Sequence, residues 1–149
     1  MTRDEITVAV KALLAAESTM ILGTVDGNAV VSSAPLFYVF DDRLALYWLS
    51  ASDSRHSLNI VDHPQASVAV CPGVWHWKEI RGVQMEGVAL QLDDPAERAR
   101  VIGEYIARFK LGDEMSAAID QSTVYKFRPL WVRYLDNSRG FGFKAETRL

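Results

Sequence analysis

Between Thr19 and Phe40 the chain reads TMILGTV, then DGN, then AVVSSAPLFYVF. Two apolar runs on either side of Asp-Gly form the strongest short-range hairpin signal a sequence offers. Gly accepts the positive φ that tight turns need, and the Asp side chain bonds its own backbone. This part of the chain is thereby committed to antiparallel pairing. A second turn, DDR, leads into LALYWL (Leu44 to Leu49), so the spacing predicts a three-stranded meander.

Downstream, ASVAVC reads as a fourth strand, KEIRGVQMEGVALQL (78–92) as a long fifth, and TVYKFRPLWVRYLD (123–136) as a last strand bent or bulged at Pro129. Helices interrupt these strands. Thr2 and Glu5 have capping-box spacing, and Ile6, Val10, Leu13 and Leu14 then share a face. In DDPAERARVIGEYIARF, Asp93 or Asp94 caps a helix with Pro95 in its first turn and Ile102, Tyr105, Ile106 and Phe109 on one face. The tail NSRGFGFKAETRL is Gly-rich and polar. Hairpin-linked strands with inserted helices predict a mainly β, antiparallel sheet or barrel rather than a parallel doubly wound fold. Nothing in the 149 residues reads as a repeat or linker, so a single domain over 1–149 is expected.

The net charge of −3, with no Lys/Arg-rich block, argues against a nucleic-acid partner, because phosphate-backbone binding needs clustered positive charge. One cysteine, Cys71, cannot form an intrachain disulfide and fits a reducing compartment. The N-terminus lacks a signal-peptide core and no apolar run is long enough to span a bilayer. The expectation is a cytoplasmic protein without membrane attachment.

Three stretches carry candidate chemistry. In SASDSRHSLNIVDHPQ (50–65), Ser52, Asp53 or Ser54 caps a two-turn helix with Leu58 and Val61 facing inward. The same helix start, with its free N–H groups, hydroxyls, Arg55 and His56, also suits an anion. In EIRGVQMEG, Gly82, Gln84 and Glu86 fall on one face of an extended segment, and Val83 and Met85 on the other. Either that face is simply exposed, or it is where a flat polar ligand meets an amide. In VVSSAPLFYV, Pro35 sits inside a strand, which calls for an edge or a bulge. Cys71, His56, His63 and His76 lack a metal-binding spacing. No G-x-S-x-G elbow supports a serine triad at Ser33 or Ser54.

Taken in order, SSAPLFYVFDDRLALYWLS, SRHSLNIVDHPQASVAV, IRGVQMEGVA and YKFRPLWVRYLD resemble the pyridoxamine 5'-phosphate oxidase-like FMN-binding split-barrel family. The tail DNSRGFGFK looks closest to a bacterial branch of it, not to the true pyridoxamine phosphate oxidases, whose C-terminal Arg/His substrate motif is missing from GFGFKAETRL. The resemblance implies a six-stranded antiparallel split β-barrel that forms a homodimer and holds FMN at the subunit interface. By position, Ser50, Ser54, Arg55 and His56 match the phosphate-binding segment. Ser33, Ala34, Pro35 and Leu36, with Trp48 and Leu49, match residues lining the isoalloxazine. Gln84 matches a hydrogen-bond partner of its polar edge, and Trp131 and Lys144 match groups reaching a flavin from the partner subunit. Many relatives carry a second strongly basic residue where this chain has His56. The implied function is an oxidoreductase acting on a small-molecule redox substrate, with NAD(P)H as a possible donor. Alternatives are a split barrel binding F420 or haem, or a flavin-storage module without turnover. Phe37, Trp48 and Phe141 are candidates for shaping the substrate side.

Overall fold

The N-terminal capping box is formed. Thr2 Oγ1 accepts from the Glu5 N–H at 3.2 Å, and Glu5 Oε2 accepts from the Thr2 N–H at 2.6 Å. It opens helix α1 (Arg3–Ala16), which buries Ile6, Val10, Leu13 and Leu14, as the 3.6-residue spacing requires. The computed structural model describes residues 1–149. After α1 come β1 (Thr19–Val25), β2 (Val31–Phe37), β3 (Val39–Phe40), β4 (Leu46–Ser50), α2 (Arg55–Asp62), β5 (Gln65–Val70) and β6 (Arg81–Gln91). The remainder is α3 (Pro95–Phe109), α4 (Ser116–Gln121), β7 (Thr123–Asp136) and β8 (Lys144–Arg148).

All strands join one antiparallel sheet in the order β2-β1-β5-β6-β7-β4-β3, with β8 added to β7. The Asp-Gly hairpin is present as β1–β2. Asp26 Oδ1 accepts from the N–H groups of Asn28 and Val30 at 2.8 and 3.0 Å, while the positive φ, 59°, falls on Ala29. Pro35 lies in β2, an end strand, where its missing N–H breaks no inner ladder.

The expected meander is corrected here. The run AVVSSAPLFYVF breaks at Tyr38 into β2 and β3, and β4 pairs with β3 and β7 instead of β2. Because β2 and β3 end the strand order at opposite sides yet lie one residue apart in the chain, the sheet has to curl back on itself there. The strand count differs as well: eight segments stand where six strands were expected. Counting β2 and β3 as one and setting aside β8 recovers the six.

The long β7 pairs with β4 through its first half and β8 through its second, and along its whole length with β6. The register slips between Glu86 and Gly87, opposite Pro129, so the bulge expected at this proline is present. A Cβ on Gly87 would run into the Arg128 carbonyl, which is backbone and cannot swing aside. Gly87→Ala is therefore expected to cost about 1–3 kcal/mol, read as a lower denaturation midpoint in urea.

The main core, including Leu22, Leu46, Trp48, Met85 and Phe127, fills the inside of the curl. A second cluster lies under α3, whose N-cap is Asp94 and whose Val101 and Tyr105 are buried. Helix α2 departs from expectation. Leu58 and Val61 are 56% and 73% exposed, and Ser57, Asn59 and Ile60 are buried instead. The polar residues can go inside because they are satisfied there: Asn59 Nδ2 donates to the buried Thr24 Oγ1 at 3.0 Å, and Ser57 Oγ lies 2.7 Å from Ser54 Oγ. No helix is long and apolar enough to cross a membrane.

Candidate functional site

The end of β4 and the start of α2 bring hydroxyls and an imidazole together. Ser54 is the N-cap, accepting from the Ser57 N–H at 3.4 Å. His56 folds back over the cap, its Nε2 2.7 Å from Ser50 Oγ and 3.2 Å from Ser54 Oγ. Burial pushes the His56 pKa below the ordinary 6.5, so the ring is neutral at neutral pH. A charged imidazolium would lose hydration at this half-buried position. Arg55 is exposed and makes no ion pair within the subunit. It lies close enough to the β1–β2 turn to help lower the Asp26 carboxyl, whose main stabilisation is the pair of backbone N–H groups of Val30 and Asn28. The first-turn N–H groups of α2 have no intrahelical acceptor. The result is a cradle of N–H donors, hydroxyls and one free guanidinium, suited in chemistry to a phosphate monoester.

A second feature is the outer face of the sheet, an open cavity of about 1120 Å³. Two cross-strand rows form its floor. One runs Pro35, Ile21, Ala69, Gln84, Arg133, Glu146, and the next Ser33, Gly23, Ser67, Glu86, Trp131, Arg148. Gln84 and Glu86 face outward while Val83 and Met85 are buried, as the period-2 reading of EIRGVQMEG anticipated. Arg133 Nη1 donates to Gln84 Oε1 at 3.5 Å, which leaves the amide N–H₂ of the exposed Gln84 without a partner in the subunit. A Cβ at Gly23 would collide with the Ser67 hydroxyl, so the glycine keeps a dent in the floor.

The sequence-derived residues fall into three groups. Ser33, Gln84 and Trp131 line the open face, Pro35 shares it by register, and Lys144 lies exposed on β8 opposite Leu135. Ser50, Ser54 and His56 meet at the cradle with Arg55 beside them. Ala34 and Leu36 alternate to the inner side of β2, and Leu49 packs against the cluster under α3. Trp48 is fully buried, stacked on Tyr125 with ring centroids 5.7 Å apart, and its Nε1–H has no acceptor. Trp48 is thus a core residue and presents no surface to a ligand. Ser54 and His56 touch, but no carboxylate orients the ring, in keeping with the absence of a triad motif.

Reasoning from the sequence missed Ser67, Arg133 and Arg148 on the open face, which the period-2 alternation of β5, β7 and β8 would have aligned. It also missed the loop before β6, where Trp75 is fully exposed and Trp77 lies edge-on to Phe141 with centroids 5.8 Å apart.

A curled antiparallel sheet with helices packed around it and one open outer face defines a split β-barrel. The chain belongs to the pyridoxamine 5'-phosphate oxidase family, whose model matches residues 6–136. Within it, the chain is 33% identical over 116 residues to a UPF0306 protein of Klebsiella pneumoniae strain 342, spanning 77% of this chain and 75% of the relative. That branch is distinct from the true pyridoxamine phosphate oxidases. Two solved structures share the fold. A Clostridium acetobutylicum protein related to general stress protein 26 matches with a TM-score of 0.72 and 13% identity, over 99% of this chain and 97% of that one. A haem-binding protein from Mycobacterium smegmatis matches with a TM-score of 0.79 and 18% identity, over 99% of this chain and 60% of that one. At such identities the likeness speaks for the fold alone.

Proposed function

We propose that this protein is a homodimeric, FMN-binding flavoprotein that acts as an oxidoreductase on a small molecule. The observation that carries the reading is the cradle, where Ser50, Ser54 and His56 converge on the N-terminus of α2 beside an unpaired Arg55. That donor set fits a phosphate monoester, and the family includes FMN binders. Bound FMN would supply the two-electron chemistry, while the polypeptide binds, orients and shields it. Arg55 and the first-turn N–H groups hold the phosphate, and Ser50 and Ser54 turn their hydroxyls to it. Gln84 presents its amide to the polar edge of the ring, and Ser33 and Pro35 line the ring from β2. Trp131 and Lys144 reach across from the partner subunit. Family members commonly dimerise, and the open face, with Ile21 42% and Val31 79% exposed, is the surface such a dimer covers.

Titrating purified protein with FMN tests this. Saturable quenching of flavin fluorescence, followed by bleaching of the bound flavin with NADH or NADPH under anaerobic conditions, is expected. Binding without bleaching by either donor would favour a storage module, and no uptake at all would sink the flavin reading.

A haem reading draws on one further observation. His76 accepts from the Lys78 N–H through Nδ1 at 3.2 Å, which leaves Nε2 without a partner on an exposed ring stacked near Trp77, whereas His56 Nε2 is engaged by two hydroxyls. His76 thus has Nε2 free to serve as an axial ligand, as does His63, whose only hydrogen bond is through its backbone N–H. A Soret band on adding haemin, lost in His76→Ala, would support it.

A further inference from the structure

Two charged side chains on the open face have no partner within the subunit. Glu86 and Arg148 make no hydrogen bond through their side chains and no ion pair. The other ionisable group lining the cavity, Arg133, is already neutralised. Its Nη2 lies 2.8 Å from Glu146 Oε2, and its guanidinium packs over the Trp131 ring at 4.9 Å. Glu86 and Arg148 are also symmetrically placed. Glu86 is directly opposite Trp131 across the β6–β7 ladder, and Arg148 is directly opposite the same Trp131 across the β7–β8 ladder. Each is one strand, roughly 5 Å, from Trp131, on opposite sides.

Covering this face removes both charges from water. An uncompensated buried charge is heavily penalised, so an occupant of the face has to bring a cation to Glu86 and an anion to Arg148. The face itself carries both, at equal and opposite offsets. A twofold axis lying in the interface along β7, past Trp131, turns the β6 side of one copy over the β8 side of the other. Resting on the dimer reading above, we infer that the face is self-complementary, with Glu86 of each subunit paired with the partner's Arg148 around a central Trp131. A twofold interface repeats the contact, so two ion pairs form and neither charge is left alone. The exposed Leu130, next to Trp131 on β7, supplies apolar surface beside them.

Sedimentation velocity on the purified chain and on Glu86→Arg, Arg148→Glu and the double variant tests the pairing. Circular dichroism confirms that each is folded, which is expected because both side chains are exposed. Wild type should be dimeric. Each single reversal sets like charges together twice per dimer and should weaken association at least about tenfold. The double variant restores opposite charges and should return association to within about threefold of wild type. A dimeric wild type whose single variants associate normally, or whose double variant is weaker than either single one, overturns the pairing while leaving the dimer. A monomeric wild type overturns the dimer reading along with it.

Discussion

Replacing Trp48 by alanine should lower stability by about 3–5 kcal/mol, because a fully buried aromatic side chain is lost and its cavity cannot collapse. The indole lies on Tyr125 inside the main core, between strands held on both sides. Its Nε1–H is buried without an acceptor, so the wild-type residue already bears a desolvation penalty of about 1–3 kcal/mol. Trp48→Phe removes that orphaned donor together with part of the ring, and the two effects partly offset. The phenylalanine variant should therefore lose much less than the alanine one, a ranking that urea denaturation of both measures directly. The same pair settles how Trp48 relates to a flavin. A folded Trp48→Phe should bind FMN within about twofold of wild type, because a core side chain does not touch the ligand. A drop of tenfold or more in a folded variant would mean that the indole reaches the site.

Arg55→Ala should weaken FMN by about 10–100-fold while leaving riboflavin unchanged, since a charge-assisted hydrogen bond to phosphate is worth about 1.5–3 kcal/mol. Fluorescence titration with both ligands checks it, and equal losses for the two would remove Arg55 from the phosphate. His56 adds a pH dependence whose sign follows from its lowered pKa. In the free protein the ring is neutral near neutrality and protonates only below 6.5. Bound phosphate favours the imidazolium, so FMN binding takes up a proton as the pH falls into that range. The phosphate's own second ionisation, near pH 6, acts in the opposite direction. Comparison with His56→Gln cancels it: the FMN affinity of wild type relative to the variant should rise as pH drops below 6.5. Without ligand the sign reverses. The unfolded chain then binds the proton more readily than the fold, so stability from this residue falls as pH drops below 6.5.

Much of this architecture was visible in local patterns. The Asp-Gly hairpin, the Thr2/Glu5 capping box and the bulge opposite Pro129 each depend on neighbours a few residues apart, and each is formed. The outward face of Gln84 and Glu86 was equally readable, because strand alternation is a property of the backbone. What failed depended on distant partners. A meander would set LALYWL beside β2, but which strand it joins is decided by the return of β7 from about 75 residues later. Its continuous apolar character was itself a sign of burial on both faces, and that is why Trp48 is core and not ring lining. In α2 the apolar Leu58 and Val61 lost the inner side to Ser57 and Asn59, whose hydrogen bonds to Ser54 and Thr24 exist only in the folded chain. The KAETR strand β8 was concealed by composition, with charged residues on its outer positions and Ala145 and Thr147 inside.

Tyr38 links the two ends of the strand order within a single residue. Its hydroxyl donates to the Leu14 carbonyl at 2.8 Å, and Arg108 covers its ring at 4.9 Å. An open sheet presents unpaired edges on which another chain can grow a strand. Here the polypeptide runs from one edge straight into the other, so neither can swing outward without dragging its counterpart along. Connectivity thus supplies a protection against edge-to-edge aggregation beyond that given by Pro35 in β2 and the charged residues of β8. It would vanish if new termini were opened at Tyr38, even with every core contact retained.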